Sequence, residues 1–449
     1  MSAERKNVVR IVALALAFVF CILASATATI LISQDIYTKK IKATEREWHK
    51  IRVADSALYS DDGYIDYANE VFLDVENYPD MREMGLFWAE WDNTQSKAVL
   101  KDADSEEGAA LIDPAKPTII MVHGMLTDGY YHQEPFYLGS KSGNPSEFGL
   151  TTDSVSMINL WILEGWNVGV YHYNRFGSEA GPAPIEAKIW GIDGEKGMRI
   201  QHEDASYSDN VTEYSLAEHF VAEYLRAMNL LPETMGDREI RVAAHSMGGE
   251  LMSASIFLLT EVSSAGQLEY KKLPDRYALL DPYFSTNIDM GDKMMYMGPK
   301  DMTIRWSGKQ IVNNNTGYTT IECLKDLAAN GIALEYYTNK ESFLKASMPE
   351  DITEDLKAIS VYVIVNPDWK YYGRGYSIIS NGHNGVRDWY LCSIKGDMVK
   401  NGDPQAVITV AASAKTPTSI ILAQRGMAFT LAEGSRTVHP NDDIFVPLT

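Results

Sequence analysis

Apolar and polar positions alternate along most of this chain in a way that separates strands from helices. Residues 84–91, MGLFWAEW, switch between apolar and polar and predict a first strand. Residues 117–125, PTIIMVHGM, are apolar up to a terminal His-Gly, as in a strand buried on both faces of a parallel sheet. SMINLWILEGWNVGVYHYNRFG predicts a helix to Leu163, a turn at Gly165 and a strand through Val168, Val170 and Tyr171. Leu216, Phe220, Tyr224, Leu225 and Met228 mark one face of a helix that Pro232 helps to end. Residues 238–259, REIRVAAHSMGGELMSASIFLL, read as a strand, a sharp turn at Ser246, and a helix with Leu251, Ser255 and Leu259 in register. A strand at 277–280, a helix near 321–329 broken at Asn330-Gly331, the strand IALEYYT and a last apolar strand at 359–365 follow. SNGHNGVRDWYLCSI then reads as a Gly-rich loop followed by a helix. Strands alternating with helices predict an α/β fold whose central sheet is mostly parallel, with helices on both faces.

Three stretches break the alternation. Residues 178–209 have no clear period and 283–318 form a second long excursion; insertions this long inside a compact domain are usually functional or mobile. Beyond residue 398, QAVITVAASA, TSIILAQRG and MAFTL read as short strands of a small C-terminal β extension. Residues 11–33 form 23 positions without a charge behind Arg5, Lys6 and Arg10, enough for a membrane-spanning helix. A cleaved signal peptide competes at Ala24-Ser25-Ala26, but apolar residues resume at Ile30, which favours an uncleaved anchor. The predicted organisation is an anchor or signal at 1–33, a polar stem at 34–83, a catalytic domain at 84–397 and the extension at 398–449. The body is expected outside the cytoplasm or at the cell surface, or else secreted.

Composition narrows the function. The net charge of −21 repels nucleic-acid phosphates and leaves little electrostatic attraction for an anionic membrane surface. Hydrophobic residues at 45% exclude a disordered chain. Cys21, Cys323 and Cys392 lack metal-ligand spacing, and there is no HExxH, P-loop or convincing dinucleotide fingerprint. Neither a metal nor a nucleotide cofactor is expected.

The chemistry centres on Ala244-His245-Ser246-Met247-Gly248, a nucleophile elbow that pushes a serine hydroxyl out at the top of a sheet. Ala244 stands where the usual pattern has Gly, a difference of one methyl. A serine nucleophile needs a histidine base oriented by a carboxylate, which follow it in the order acid, then histidine. His383 follows the last core strand and is the candidate base, with His439 as an alternative. His123, His172 and His245 are read as packing or loop histidines. Asp281 ends the strand after the elbow helix, Glu341 follows the next strand and Asp368 the last. Position leaves Asp281 and Glu341 open, with Asp281 favoured because apolar and aromatic residues precede it and Pro282 fixes the exit. The backbone N–H groups of Met125, after His123-Gly124, and of Met247 are the candidate oxyanion hole.

Taken in order, IIMVHGM, NVGVYHYNRFGSE, VAAHSMGG, ALLDPYF and GHNGVRDWYLCSI resemble the lipase branch of the α/β-hydrolase superfamily, the pancreatic-lipase-like group above all. The resemblance covers residues 84–395. It implies an α/β-hydrolase fold and hydrolysis of lipid esters under a mobile lid, for which residues 178–209 and 283–318 are the lid-like candidates. Leu280-Asp281-Pro282 matches the family's acid, which decides for Asp281 over Glu341. His383 with Arg387, Trp389-Tyr390 and Ser393-Ile394 matches its histidine segment. Ala244 and the lack of the disulfides typical of secreted members depart from the pattern. A peptidase or amidase on the same scaffold, or a non-catalytic binding module, are the competing readings.

Overall fold

The computed structural model describes residues 59–60, 63–126, 136–138, 155–289, 294–296, 298–299, 302–308, 310–311, 316–339, 349–366, 378–406, 408–433 and 443–448. The predicted anchor and the stem up to residue 58 lie outside these, and among the described residues no helix is long and apolar enough to cross a membrane.

In chain order the principal elements are β1 (Gly85–Asp92), β2 (Lys97–Asp102), β3 (Thr118–Val122), α1 (Met157–Leu163), β4 (Asn167–His172), α2 (Pro182–Trp190), α3 (Leu216–Leu230), β5 (Ile240–His245), α4 (Met247–Ser264) and β6 (Arg276–Leu280). There follow α5 (Thr316–Ala329), β7 (Ala333–Thr338), α6 (Glu350–Ile359), β8 (Val361–Ile364), α7 (Ile378–Cys392), β9 (Lys400–Asn401), α8 (Thr418–Ala423), β10 (Ala428–Glu433) and β11 (Ile444–Pro447). All eleven strands lie in one sheet, in the order β9-β11-β10-β8-β7-β6-β5-β3-β4-β1-β2. From β4 through β10 neighbouring strands are parallel; β1 is antiparallel to both β2 and β4, and β11 is antiparallel to β10.

The continuous apolar runs follow from burial on both faces. In β5, Ile240, Val242 and Ala244 join one core while Ala243 joins the other; in β6, Tyr277 and Leu279 oppose Ala278 and Leu280. Side chains alternate across a strand, so every second residue serves a different core, and both must be apolar. The first core is closed by α2 to α6, the second by α1, α7 and α8. Local signals support the helices. Ser215 and Glu218 form a capping box on α3, and Ser156 accepts from Asn159 N–H at the start of α1. This is the expected mostly parallel α/β architecture, and with the elbow after a central strand it is the α/β-hydrolase fold.

The structure differs from the sequence reading in places. Residues 178–209, read as irregular, contain α2 and the short hairpin Ile200–Gln201 with Tyr207–Ser208. The helix α6, with two acidic residues in its first turn and only Ile352 and Leu356 buried, has no counterpart in the sequence expectations. TSIILA, read as a strand, is α8, capped by Pro417, while QAVITVAASA contributes only an isolated bridge at Val410. The remaining C-terminal strands do not stand apart: β10 pairs with β8, so residues after 398 widen the same sheet. The two predicted insertions pack on each other. Trp190 and Trp306 ring centroids lie 5.8 Å apart, and Arg305 N–H donates to the Trp190 carbonyl at 2.8 Å. The Met290 to Met297 side chains lie outside the described residues. Cys323 and Cys392 are both buried and are not joined in a disulfide.

Candidate active site

The turn between β5 and α4 sets Ser246 at φ +55° and ψ −127°, a conformation that costs a non-glycine residue of order 1–3 kcal/mol and persists only under surrounding constraint. The constraint is visible. Ser246 N–H donates to the Leu280 carbonyl at 3.1 Å, and its own carbonyl accepts from Gly249 N–H at 2.9 Å and Tyr283 N–H at 3.0 Å. Small residues make room for the corner. A Cβ on Gly124 would meet Ser246 Cβ at 2.6 Å, and one on Gly248 would meet the His123 carbonyl oxygen at 2.3 Å. Ala244, the departure from the usual glycine, is fully buried between Val122 and Leu279, where its methyl joins the core. The Ser246 side chain makes no capping bond to α4, and Met247 opens that helix, where unpaired N–H groups and the helix dipole favour negative charge.

Asp281 follows β6, is 1% exposed and also sits at positive φ, +43°. Its N–H donates to the Tyr337 carbonyl at 2.7 Å, Thr338 Oγ1 donates to its Oδ1 at 2.7 Å, and His383 Nδ1 donates to its Oδ2 at 2.6 Å. Both oxygens of a buried carboxylate are therefore satisfied, which offsets its desolvation. Thr338 is the last residue of β7, the strand IALEYYT, and carries no motif of its own; only the parallel pairing of β6 with β7 brings it to Asp281.

His383 lies within α7 and not in a loop, a correction to the sequence reading. Gly382 and Gly385 suggested a loop, but α7 needs a small residue where it passes Asn339: a Cβ on Gly382 would lie 3.0 Å from Asn339 Nδ2. Glu341, Asp368 and His439, the competing acids and base, lie outside the described residues.

The structure thus joins Asp281 and His383 directly and brings Gly124 against Ser246. The His245 ring centroid lies 4.4 Å from that of His383, and His245 Nε2–H donates to the His383 carbonyl at 3.2 Å. Burial holds the His245 imidazole well below its usual range, with the neighbouring His383 adding to the shift, so His245 is neutral. Met125, which follows Gly124, is half-buried and packs against the first core. Below the corner, Glu250 accepts from Trp190 Nε1 at 2.7 Å, and Glu186 accepts from Ser285 N–H at 2.6 Å and Thr316 Oγ1 at 2.7 Å. These two buried carboxyls tie both insertions to the helix that carries the serine. Among the described residues no group of three His, Cys, Asp or Glu is placed to hold a metal ion.

No protein-family model matches the chain, and no curated protein sequence does. Similar solved structures include a thioesterase domain from the curacin biosynthetic pathway, 14% identical over 55% of this chain and 81% of that one, TM-score 0.24. Est1E from Butyrivibrio proteoclasticus, with ferulic acid bound, is 9% identical over 55% and 76%, TM-score 0.25. A prohormone-processing carboxypeptidase from Saccharomyces cerevisiae is 9% identical over 83% and 97%, TM-score 0.31. The fold is read from the chain's own sheet and elbow, which make it an α/β protein of the hydrolase architecture.

Proposed function

We propose that the protein is a serine hydrolase of carboxylic esters, with Ser246 as nucleophile, His383 as base and Asp281 as its orienting acid. The observation that carries this reading is the 2.6 Å bond from His383 Nδ1 to a buried Asp281, beside a serine held in a strained strand-to-helix corner. With its Nδ1–H given to Asp281, His383 presents Nε2 as the proton acceptor. Ser246 Oγ attacks the ester carbonyl carbon and passes its proton to Nε2. The oxyanion is held by the N–H groups of Met125 and Met247. Collapse expels the alcohol, which takes the proton from His383 and leaves an acyl-Ser246. Water, deprotonated by His383, then releases the carboxylic acid and restores the serine.

Lipid esters are the proposed substrate class. The support is the resemblance to lipases in VAAHSMGG, ALLDPYF and GHNGVRDWYLCSI, together with an uncharged segment at 11–33 long enough to hold the enzyme at a membrane. A location at the membrane, with the body outside the cytoplasm, belongs to the same proposal.

A fluorophosphonate probe tests the chemistry: the wild-type protein should be labelled and Ser246→Ala should not. Absence of labelling on the folded wild-type protein would refute the hydrolase. A series of p-nitrophenyl esters of increasing acyl length then tests the substrate class, long chains being hydrolysed best on the lipid reading.

A further inference from the structure

His123 immediately precedes the proposed oxyanion loop, and the reaction above gives it no part. It is fully buried, and its ring lies 4.3 Å from that of Tyr173 at an interplanar angle of 6°. Three hydrogen bonds fix it. Tyr173 N–H donates to His123 Nε2 at 3.1 Å, Tyr173 Oη–H donates to the His123 carbonyl at 3.1 Å, and His123 Nδ1 lies 2.6 Å from the Gly124 carbonyl oxygen. A backbone N–H can only donate, so Nε2 must be the bare, accepting nitrogen. In a neutral imidazole the proton then sits on Nδ1, which donates to the Gly124 carbonyl.

That carbonyl and the Met125 N–H belong to one peptide unit. The unit is planar and trans, so its C=O and N–H point in opposite directions. Holding the carbonyl on one side therefore directs the N–H to the other. Gly124 itself lies against the nucleophile: a Cβ there would stand 3.2 Å from Ser246 Oγ. Gly124 has no side chain to restrict this peptide, so its orientation has to be set from elsewhere.

We propose that His123 is a positioning residue for ester hydrolysis: its Nδ1–H, fixed in that tautomer by Tyr173 N–H, holds the Gly124 carbonyl and so aims the Met125 N–H at the oxyanion. The inference rests on the hydrolase reading. His172, whose ring centroid lies 5.6 Å from that of His123, is buried, and desolvation above all, then His123, holds it well below its usual range. It brings no positive charge against the brace.

The test compares wild type, His123→Phe, which keeps a ring but no donor, and His123→Asn, whose side-chain N–H lies near the position of Nδ1. Each is measured for kcat, KM and inhibition by a trifluoromethyl ketone of the same acyl chain, which forms an oxyanion on the serine. Deleting an oxyanion donor costs about 10²–10³ in kcat, so misaiming one should cost about tenfold to a hundredfold in His123→Phe. KM is expected to stay within about twofold, and the ketone's inhibition constant to rise by the same factor as kcat falls. His123→Asn should recover much of both. An unchanged inhibition constant in folded His123→Phe, or no recovery in His123→Asn, overturns the inference. A second measurement needs no variant: 15N shifts of His123 in the wild-type protein should report the Nδ1–H tautomer, and the Nε2–H form overturns the brace. Wild-type protein that neither turns over esters nor takes the fluorophosphonate refutes the hydrolase reading itself, a separate result from either failure.

Discussion

Asp281 carries two constraints at once: a left-handed backbone and a carboxylate with both oxygens bonded. Replacing it with Asn keeps the shape but lets the side chain donate to His383 Nδ1, which favours the tautomer protonated on Nε2. On the proposed mechanism Asp281→Asn should lower kcat by about 10³–10⁴ with KM little changed, measured on the preferred ester. A fall of less than about tenfold would remove Asp281 from the mechanism. His245 works beside it. Its neutral ring faces His383 without opposing the charge that His383 acquires as it takes the serine proton. The elbow pattern marks Ser246 as the candidate nucleophile and position puts His383 after it, while the choice of Asp281 over Glu341 rests on the family resemblance and not on spacing. The sequence assigns His123 and His245 a packing or loop hydrogen-bonding role and Thr338 no role of its own, because a hydrogen bond to a carbonyl or a carboxylate leaves no motif.

The insertions and α4 meet at Glu186 and Glu250, both fully buried. Burial above all raises the Glu250 carboxyl well above its ordinary 4.5, and Glu186 adds its repulsion; Glu186 is itself raised by burial. The Tyr173, Tyr277 and Tyr283 hydroxyls feel the Glu250 charge, and none of them is a cation. The folded chain therefore keeps a proton that the unfolded chain releases near pH 4.5. Stability contributed by this carboxyl is fully present below that value and is lost as pH rises towards its folded value. Glu250→Gln, neutral at every pH and still able to accept from Trp190, should melt with wild type at pH 4.5 and about 3 °C or more above it at pH 8. Equal melting temperatures at both pH values would mean that no proton is held there. Periodicity could not anticipate this link, nor α2, whose Pro182, Gly181 and buried Lys188 obscure an amphipathic face. Lys188 is buried yet bonded to Glu179 and two carbonyls, so a charge that reads as solvent-facing is structural.

Across the whole molecule, the segment after residue 398 is tied to the sheet by buried arginines. Arg276 on β6 pairs with Glu335 on β7, and its other donors reach the carbonyls of Ser413 and Thr416; Arg241 reaches that of Ala414 at 2.6 Å. Tyr337 and Tyr390 hydroxyls complete the shell of Glu335, at 2.5 and 3.1 Å. Arg276→Met leaves a buried carboxylate without its partner and should cost about 3–5 kcal/mol, read from urea unfolding. Hydrogen exchange should rise first across residues 411–431. The double variant Arg276→Met with Glu335→Leu should regain most of the loss, since a buried pair exchanged for apolar residues is close to neutral. A double variant as unstable as the single one would show that the arginine acts through the carbonyls alone.

The sequence by itself determined the alternation of strands and helices, the two-sided burial of the central strands and the chain order of the candidates Ser246, Asp281 and His383. Each of these is local: an apolar run, a helical period or a turn residue carries its physics within a few positions. Only the tertiary structure decided that His383 lies in a helix, that TSIILA is helical, and that the C-terminal strands extend the central sheet. It alone joined the two insertions to the serine helix through paired carboxyls, and set a neutral histidine behind the peptide that carries Met125. Those features depend on partners 50 or more residues apart, such as His123 with Tyr173 and Asp281 with His383. No spacing rule reaches across that distance, because the sheet, not the local chain, brings such groups together.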